Sequence, residues 1–149
     1  MEQNAWQMLL AYNKEVKKLD DLYRCAAKRC GISECAFWIL YTLRAEDRQF
    51  TQTEICEFLQ EPKQTVNSAL KKLEAEGYLA LVSGADQRSK RVVLTERGER
   101  FAAAQVDRVP EAEAGALGAM TPQARAALLE GLRQFRVLFE AQLRANGTI

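Results

Sequence analysis

The chain of 149 residues contains no histidine. That removes the commonest general base and the commonest metal-binding side chain, so Cys–His nucleophile pairs and mixed Cys–His zinc sites are excluded. No apolar run approaches the roughly 18 to 20 residues needed to cross a bilayer. The opening MEQNAWQMLLAYNKEV sets acid and amide residues before a short apolar patch, unlike a secretory signal. A cytoplasmic protein outside any membrane is expected. The four cysteines, Cys25, Cys30, Cys35 and Cys56, show no paired CxxC spacing, so a four-thiolate zinc site is not suggested and reduced thiols are the expectation. A glycine-rich phosphate loop and a paired-carboxylate motif are also missing, which argues against an enzyme and gives no reason to expect a cofactor. Internal repeats and low-complexity linkers are absent. Excess charge is absent too: the net value is +1, so bulk charge does not announce a nucleic-acid binder.

What is present is an ordinary globular balance, 48% hydrophobic and 28% charged, in a length that fits one domain with helical extensions. From Gln3 to Arg29 the positions Leu9, Tyr12, Val16, Leu19, Tyr23 and Ala26 recur at alternating threes and fours, one stripe of a long helix. Gly31 fits its stop and Ser33 can cap a second helix through Ala36–Leu43, apolar nearly all round and so expected at the buried centre. A third helix opens at FTQTEICEFL, where Thr51 and Glu54 make a capping box before Ile55, Phe58 and Leu59, and where Cys56 reads as packing. In EPKQTVNSALKKLEAEGYL, Pro62 suits a first helical turn, Val66, Ala69, Leu70 and Leu73 repeat at helical spacing, and Gly77 ends the run. Two short amphipathic helices joined so tightly suggest a helix-turn-helix.

The period then changes. YLALV and RVVLT are β-rich and flank a polar loop, which reads as a hairpin. Thr95 can cap a helix ERGERFAAAQVDRV, and Thr121–Pro122 opens a last helix carrying Leu128, Leu132, Phe135 and Phe139. Both terminal segments carry long apolar stripes with few local partners, so they are expected to pack together and against a second copy of the chain.

A helix-turn-helix followed by a hairpin is the winged-helix arrangement. Its second helix can enter a major groove of double-stranded DNA, where base edges present distinguishable patterns. The exposed early residues there are Lys63, Gln64, Thr65, Asn67 and Ser68, with Lys71 and Lys72 further along suited to phosphates. The hairpin tip, with Arg88 and Lys90, would reach an adjacent minor groove, which favours inserted arginine. Charge is distributed locally: seven Lys/Arg and seven Asp/Glu lie between Thr51 and Gly98, with Arg88, Lys90 and Arg91 clustered at the hairpin.

The stretch DQRSKRVVLTERG resembles the DxRxxxxxLTxxG signature of MarR-type winged-helix regulators at Asp86, Arg88, Leu94, Thr95 and Gly98, and the LxxLExxGYL ending of the preceding helix is similar to that family's helix-turn-helix. The likeness is closest over residues 50–101. It implies a mainly α fold with a small β-hairpin wing, in which helical dimerisation regions at residues 1–30 and 110–149 flank a winged helix-turn-helix at residues 31–109. It implies a homodimeric, sequence-specific repressor on a palindromic operator, with Asp86 orienting Arg88 toward the minor groove. It also implies release by a small-molecule effector, or by thiol oxidation, in the crevice between the dimerisation helices and the winged domain.

Blander readings stand beside these. Phe37, Trp38 and Tyr41 can line an effector pocket or fill the core. Cys30, close in sequence to Lys28 and Arg29, can be a redox-active thiol or a small buried hydrophobe. The neutral charge of the winged segment leaves room for a winged-helix module that binds a protein instead.

Overall fold

A computed structural model of the chain describes residues 3–46, 48–83 and 90–149. It divides into two compact units, residues 1–110 and 111–149.

The first unit begins with helix α1 (Gln3–Cys30). Its C-terminal half rests on helix α2 (Glu34–Ala45): Ala27 is buried and the Tyr23 ring lies 4.9 Å from Trp38. Leu9, Val16, Tyr23 and Ala26 of the expected stripe are half-buried, whereas Tyr12 and Leu19 are exposed, together with Trp6, Leu10 and Leu22. Ser33 caps α2 as expected, its hydroxyl accepting from the Ala36 amide at 3.2 Å. Ala36, Phe37, Ile39 and Leu40 of α2 are buried at the centre of the unit. Full burial of the Phe37, Ile39 and Leu40 side chains contributes about 1.5–3 kcal/mol each.

Thr51 forms the anticipated capping box with Glu54 at the start of helix α3 (Gln52–Leu59): the Glu54 amide donates to the Thr51 hydroxyl, and the Thr51 amide donates to the Glu54 carboxylate at 2.6 Å. The residue before it departs from expectation. Phe50 and Thr51 make a two-residue strand, β1, rather than the first turn of a helix. This strand is too short for any period to reveal it. Its cause is the Phe50 ring, fully buried, which the chain reaches only by running extended along the sheet.

Helix α4 (Lys63–Ala75) follows after Gln60, which takes the left-handed conformation at φ 53°. Pro62, expected inside the first turn, stands one position earlier as the N-cap and offers no side-chain cap bond. Gly77, at φ 76°, ends the helix where a side chain would be strained. Strands β2 (Leu79–Ser83) and β3 (Lys90–Leu94) then pair antiparallel, and β1 adds to the other side of β3 in the order β1-β3-β2. The register sets Leu79 opposite Leu94 and Leu81 opposite Val92, turning the apolar face onto α3 and α4. Asp86 and Arg88 lie outside the described residues.

Helix α5 (Glu96–Phe101) is capped by Thr95, whose hydroxyl accepts from the Gly98 amide at 3.0 Å. The continuous helix expected over residues 96–109 is interrupted: Ala102–Val106 form a π-helical turn before helix α6 (Arg108–Ala119). Pro110 follows closely, and because it has no N–H to give to the Val106 carbonyl, the hydrogen-bond ladder is already open just after the turn. Helix α6 itself was not foreseen, and it continues into the second unit.

That unit ends in helix α7 (Pro122–Ala145), with Thr121 as N-cap accepting from the Ala124 amide and Pro122 at its first position, as read from sequence. Leu128, Leu132, Phe135 and Phe139 share one exposed face, with the two phenyl rings stacked at 5.7 Å. Among the described residues no helix is long and apolar enough to cross a membrane.

Candidate nucleic-acid interface

Helix α4 has two faces because its apolar residues recur every three or four positions. Val66, Ala69, Leu70 and Leu73 are buried against α2, α3 and the sheet. The opposite side carries Lys63, Gln64, Thr65, Ser68, Lys71 and Lys72, all exposed, with Asn67 half-buried at its margin. Gln64, Ser68, Lys71 and Lys72 follow one another at i, i+4, i+7 and i+8, so they line a single strip of the helix. Among the described residues none of these side chains is engaged in a hydrogen bond or ion pair. The strip is thus a row of amide, hydroxyl and ammonium groups with its bonding capacity unspent. Its start has no side-chain cap either, so the amides of the first turn point outward with the positive end of the helix dipole.

Lys90 and Arg91 stand exposed at the loop end of the β2–β3 pair. Arg91 pairs across the sheet with Thr51 on one side and Val82 on the other. It lies within electrostatic reach of Glu54, whose carboxyl is held below its ordinary value by the hydrogen bonds from Thr51, with Arg48 and Arg91 assisting. The Arg48 guanidinium sits 3.5 Å from the Glu54 carboxylate and 3.9 Å from the centre of the Phe50 ring. Sequence reading passed over Arg48, although its place just ahead of the capping box was visible.

The signature residues Thr95 and Gly98 prove to be structural. The Thr95 hydroxyl donates to the Gly77 carbonyl at 2.6 Å while its amide donates to the Tyr78 carbonyl at 3.1 Å. A Cβ on Gly98 would stand 1.8 Å from that same Tyr78 oxygen. The GYL ending of α4 and the LTxxG opening of α5 are therefore two halves of one backbone junction, which fixes where β2 leaves α4 and hence where the hairpin projects.

Of the aromatic residues on α2, Phe37 is completely buried among the core residues, the second of the two readings given to it. Trp38 and Tyr41 are half-buried, with their rings 5.3 Å apart. Cys30 is half-buried and its thiol donates to the Gln105 carbonyl at 3.7 Å. Burial pushes this thiol up, only partly offset by Arg108, the cation that faces it in place of Lys28 and Arg29. Burial likewise raises Cys35, with Glu61 and Cys56 adding to the effect. Because the thiolate is the reactive form, the exposed Cys25 is expected to take up iodoacetamide before Cys30 at neutral pH. Peptide mass spectrometry over a time course reads the order, and faster labelling of Cys30 would contradict this account of its surroundings.

Residues 31–89 match the MarR family model. No curated protein sequence matches the chain. Among solved structures, a MarR family regulator from Neisseria meningitidis is 24% identical, over 93% of this chain and 98% of that one, with a TM-score of 0.77. A MarR family transcriptional regulator from Streptomyces coelicolor, solved in complex with DNA, is 18% identical over 91% of this chain and 88% of its own, with a TM-score of 0.74. A Bordetella bronchiseptica protein whose DNA binding is regulated by 6-hydroxynicotinic acid is 21% identical, over 91% and 94% of the two chains, with a TM-score of 0.62. The matched segment contains the helix-turn-helix and strands β1 and β2, and the likenesses show a winged-helix fold similar to that of MarR-family regulators.

Proposed function

We propose that this protein is a sequence-specific, homodimeric DNA-binding regulator of transcription, acting as a repressor that a small ligand releases. The observation that carries the reading is the uncommitted polar strip of α4, Gln64, Thr65, Ser68, Lys71 and Lys72, on the second helix of a helix-turn-helix. Gln64, Thr65, Asn67 and Ser68 are assigned to base edges and phosphates near the helix start, and Lys63, Lys71 and Lys72 to phosphates. Lys90 and Arg88 are assigned to the wing's approach to the minor groove, with Asp86 orienting Arg88. The DNA complex of the Streptomyces relative supports this use of the fold.

Dimerisation is supported by the exposed apolar positions of α1 and α7, among them Trp6, Leu10, Leu19, Leu128, Leu132 and Phe139. The α7 residues share one face, and large apolar side chains left in water on both helices call for a partner surface. A second copy provides one and supplies two reading helices for a palindromic operator. Release by a ligand is supported by the Bordetella relative and by the half-buried Trp38 and Tyr41. Such a ligand acts only through different affinities for the two states.

Selection of bound sequences from random DNA is expected to return an inverted repeat with half-sites roughly 10 base pairs apart. On the selected duplex, fluorescence anisotropy should show log affinity falling by several units per log unit of salt, the signature of phosphate contacts. The equal numbers of acids and bases between Thr51 and Gly98 favour one other reading, a winged-helix module that binds a protein. No enriched sequence and a flat salt response would establish that reading instead.

A further inference from the structure

Arg44, in the last turn of α2, reaches two carboxylates at once. Its Nε and Nη2 donate to both oxygens of Asp107, with Nε 3.0 Å from Oδ1, and its Nη1 donates to Glu99 Oε2 at 2.6 Å. Glu99 precedes the π-turn and Asp107 follows it, so one guanidinium spans the turn from end to end. The geometry of the turn explains how this is achieved. In an unbroken α-helix, positions eight apart differ by roughly 80° about the axis, which would carry Asp107 away from the face that Glu99 occupies. One residue absorbed in a π-turn reduces that difference to about 20°. Both carboxylates then address the same cation. The turn is pinned further by the Asp107 amide donating to the Ala102 carbonyl at 2.9 Å, by the Cys30 thiol on the Gln105 carbonyl, and by the buried side chains of Ala102 and Val106.

We propose that Ala102–Val106 is a two-position joint, held in its π register by the Arg44 clamp, and that opening the clamp lets the turn close to the α register. With Arg44 withdrawn, Glu99 and Asp107 face each other as bare like charges, and the α register separates them. The change turns α6 about its own axis by roughly 100°, the angle of one residue. The joint is thus a place where an event at α2 changes the register of the helix that follows α5. The proposal goes beyond the DNA-binding reading and does not depend on it.

Hydrogen exchange read by mass spectrometry on the full chain, without DNA, tests the joint. R44Q is expected to raise exchange at residues 102–110 tenfold or more while Ile39, Leu40 and Val92 keep their wild-type rates. A second variant deletes one of Ala102, Ala103 and Ala104, which are equivalent in sequence. It removes the extra residue yet leaves Glu99 and the aspartate on one face, so it is expected to fold and to exchange no faster than wild type. In that background R44Q should lose its effect, because no second register remains. A clamp that is merely a stabilising ion pair would raise exchange equally in both backgrounds, and that result overturns the proposal. So does an R44Q protein with unchanged exchange. Should R44Q alone not fold, the deletion decides: faster exchange or unfolding of that variant sinks the joint.

Discussion

Gly98→Ala is expected to destabilise the protein by about 3 kcal/mol, lowering its thermal midpoint by roughly 6–12 °C for a chain of this size. The added methyl meets the Tyr78 carbonyl oxygen at 1.8 Å and the carbonyl carbon at 2.8 Å. These are backbone atoms, and no rotamer change moves them aside. Relief requires α5 to lift away, which breaks the bonds from the Thr95 amide to Tyr78 and from the Thr95 hydroxyl to Gly77, each worth about 1 kcal/mol. Set against a total stability of about 5–15 kcal/mol, this loss is large for one methyl group. Differential scanning calorimetry at fixed protein concentration reads it. A midpoint within about 2 °C of wild type would mean that the junction yields easily, and the structural reading of the LTxxG motif would fall.

Arg88→Ala is expected to weaken operator affinity about 30- to 1000-fold. The estimate takes about 1–2 kcal/mol for each wing arginine and two wings per dimer. Under the proposed function the loss should appear with the dimer and the thermal midpoint intact, because Arg88 is assigned to the duplex and not to the core. Arg88→Lys should recover part of the affinity, since it restores the charge but lacks the planar fork that a narrow groove accommodates. Anisotropy titrations at one fixed salt concentration compare the three proteins. Equal affinity of Arg88→Ala and wild type would remove the wing from the proposed mechanism, while leaving the assignment of α4 to its own test.

Much of the fold was legible because it rests on local chemistry. Ser33, Thr51, Thr95 and Thr121 each cap the helix that their spacing announced. A cap is a bond between residues three apart, and three residues are visible in a sequence. The strip on α4 was legible for the same reason: its buried positions mark out the exposed ones. What escaped depends on residues distant in the chain. Strand β1 exists because Phe50 must reach the core, and nothing at positions 50–51 records that the partner strand arrives some forty residues later. The Arg44 clamp joins residues 55 and 63 positions apart. The widened turn that lets both carboxylates meet Arg44 leaves no mark of its own in the local sequence. Phe37, read as a candidate pocket wall, illustrates the remaining limit: an aromatic residue on an apolar helix has the same sequence context whether it lines a cavity or fills one.

Thr51 holds two offices at once, as the final residue of β1 across from Arg91 and as the cap of α3. No spacer separates the sheet from the first helix of the helix-turn-helix. A pull on β3 therefore has no slack to take up before it reaches α3, and under the proposed function hairpin and helix pair should engage a duplex in a single stroke.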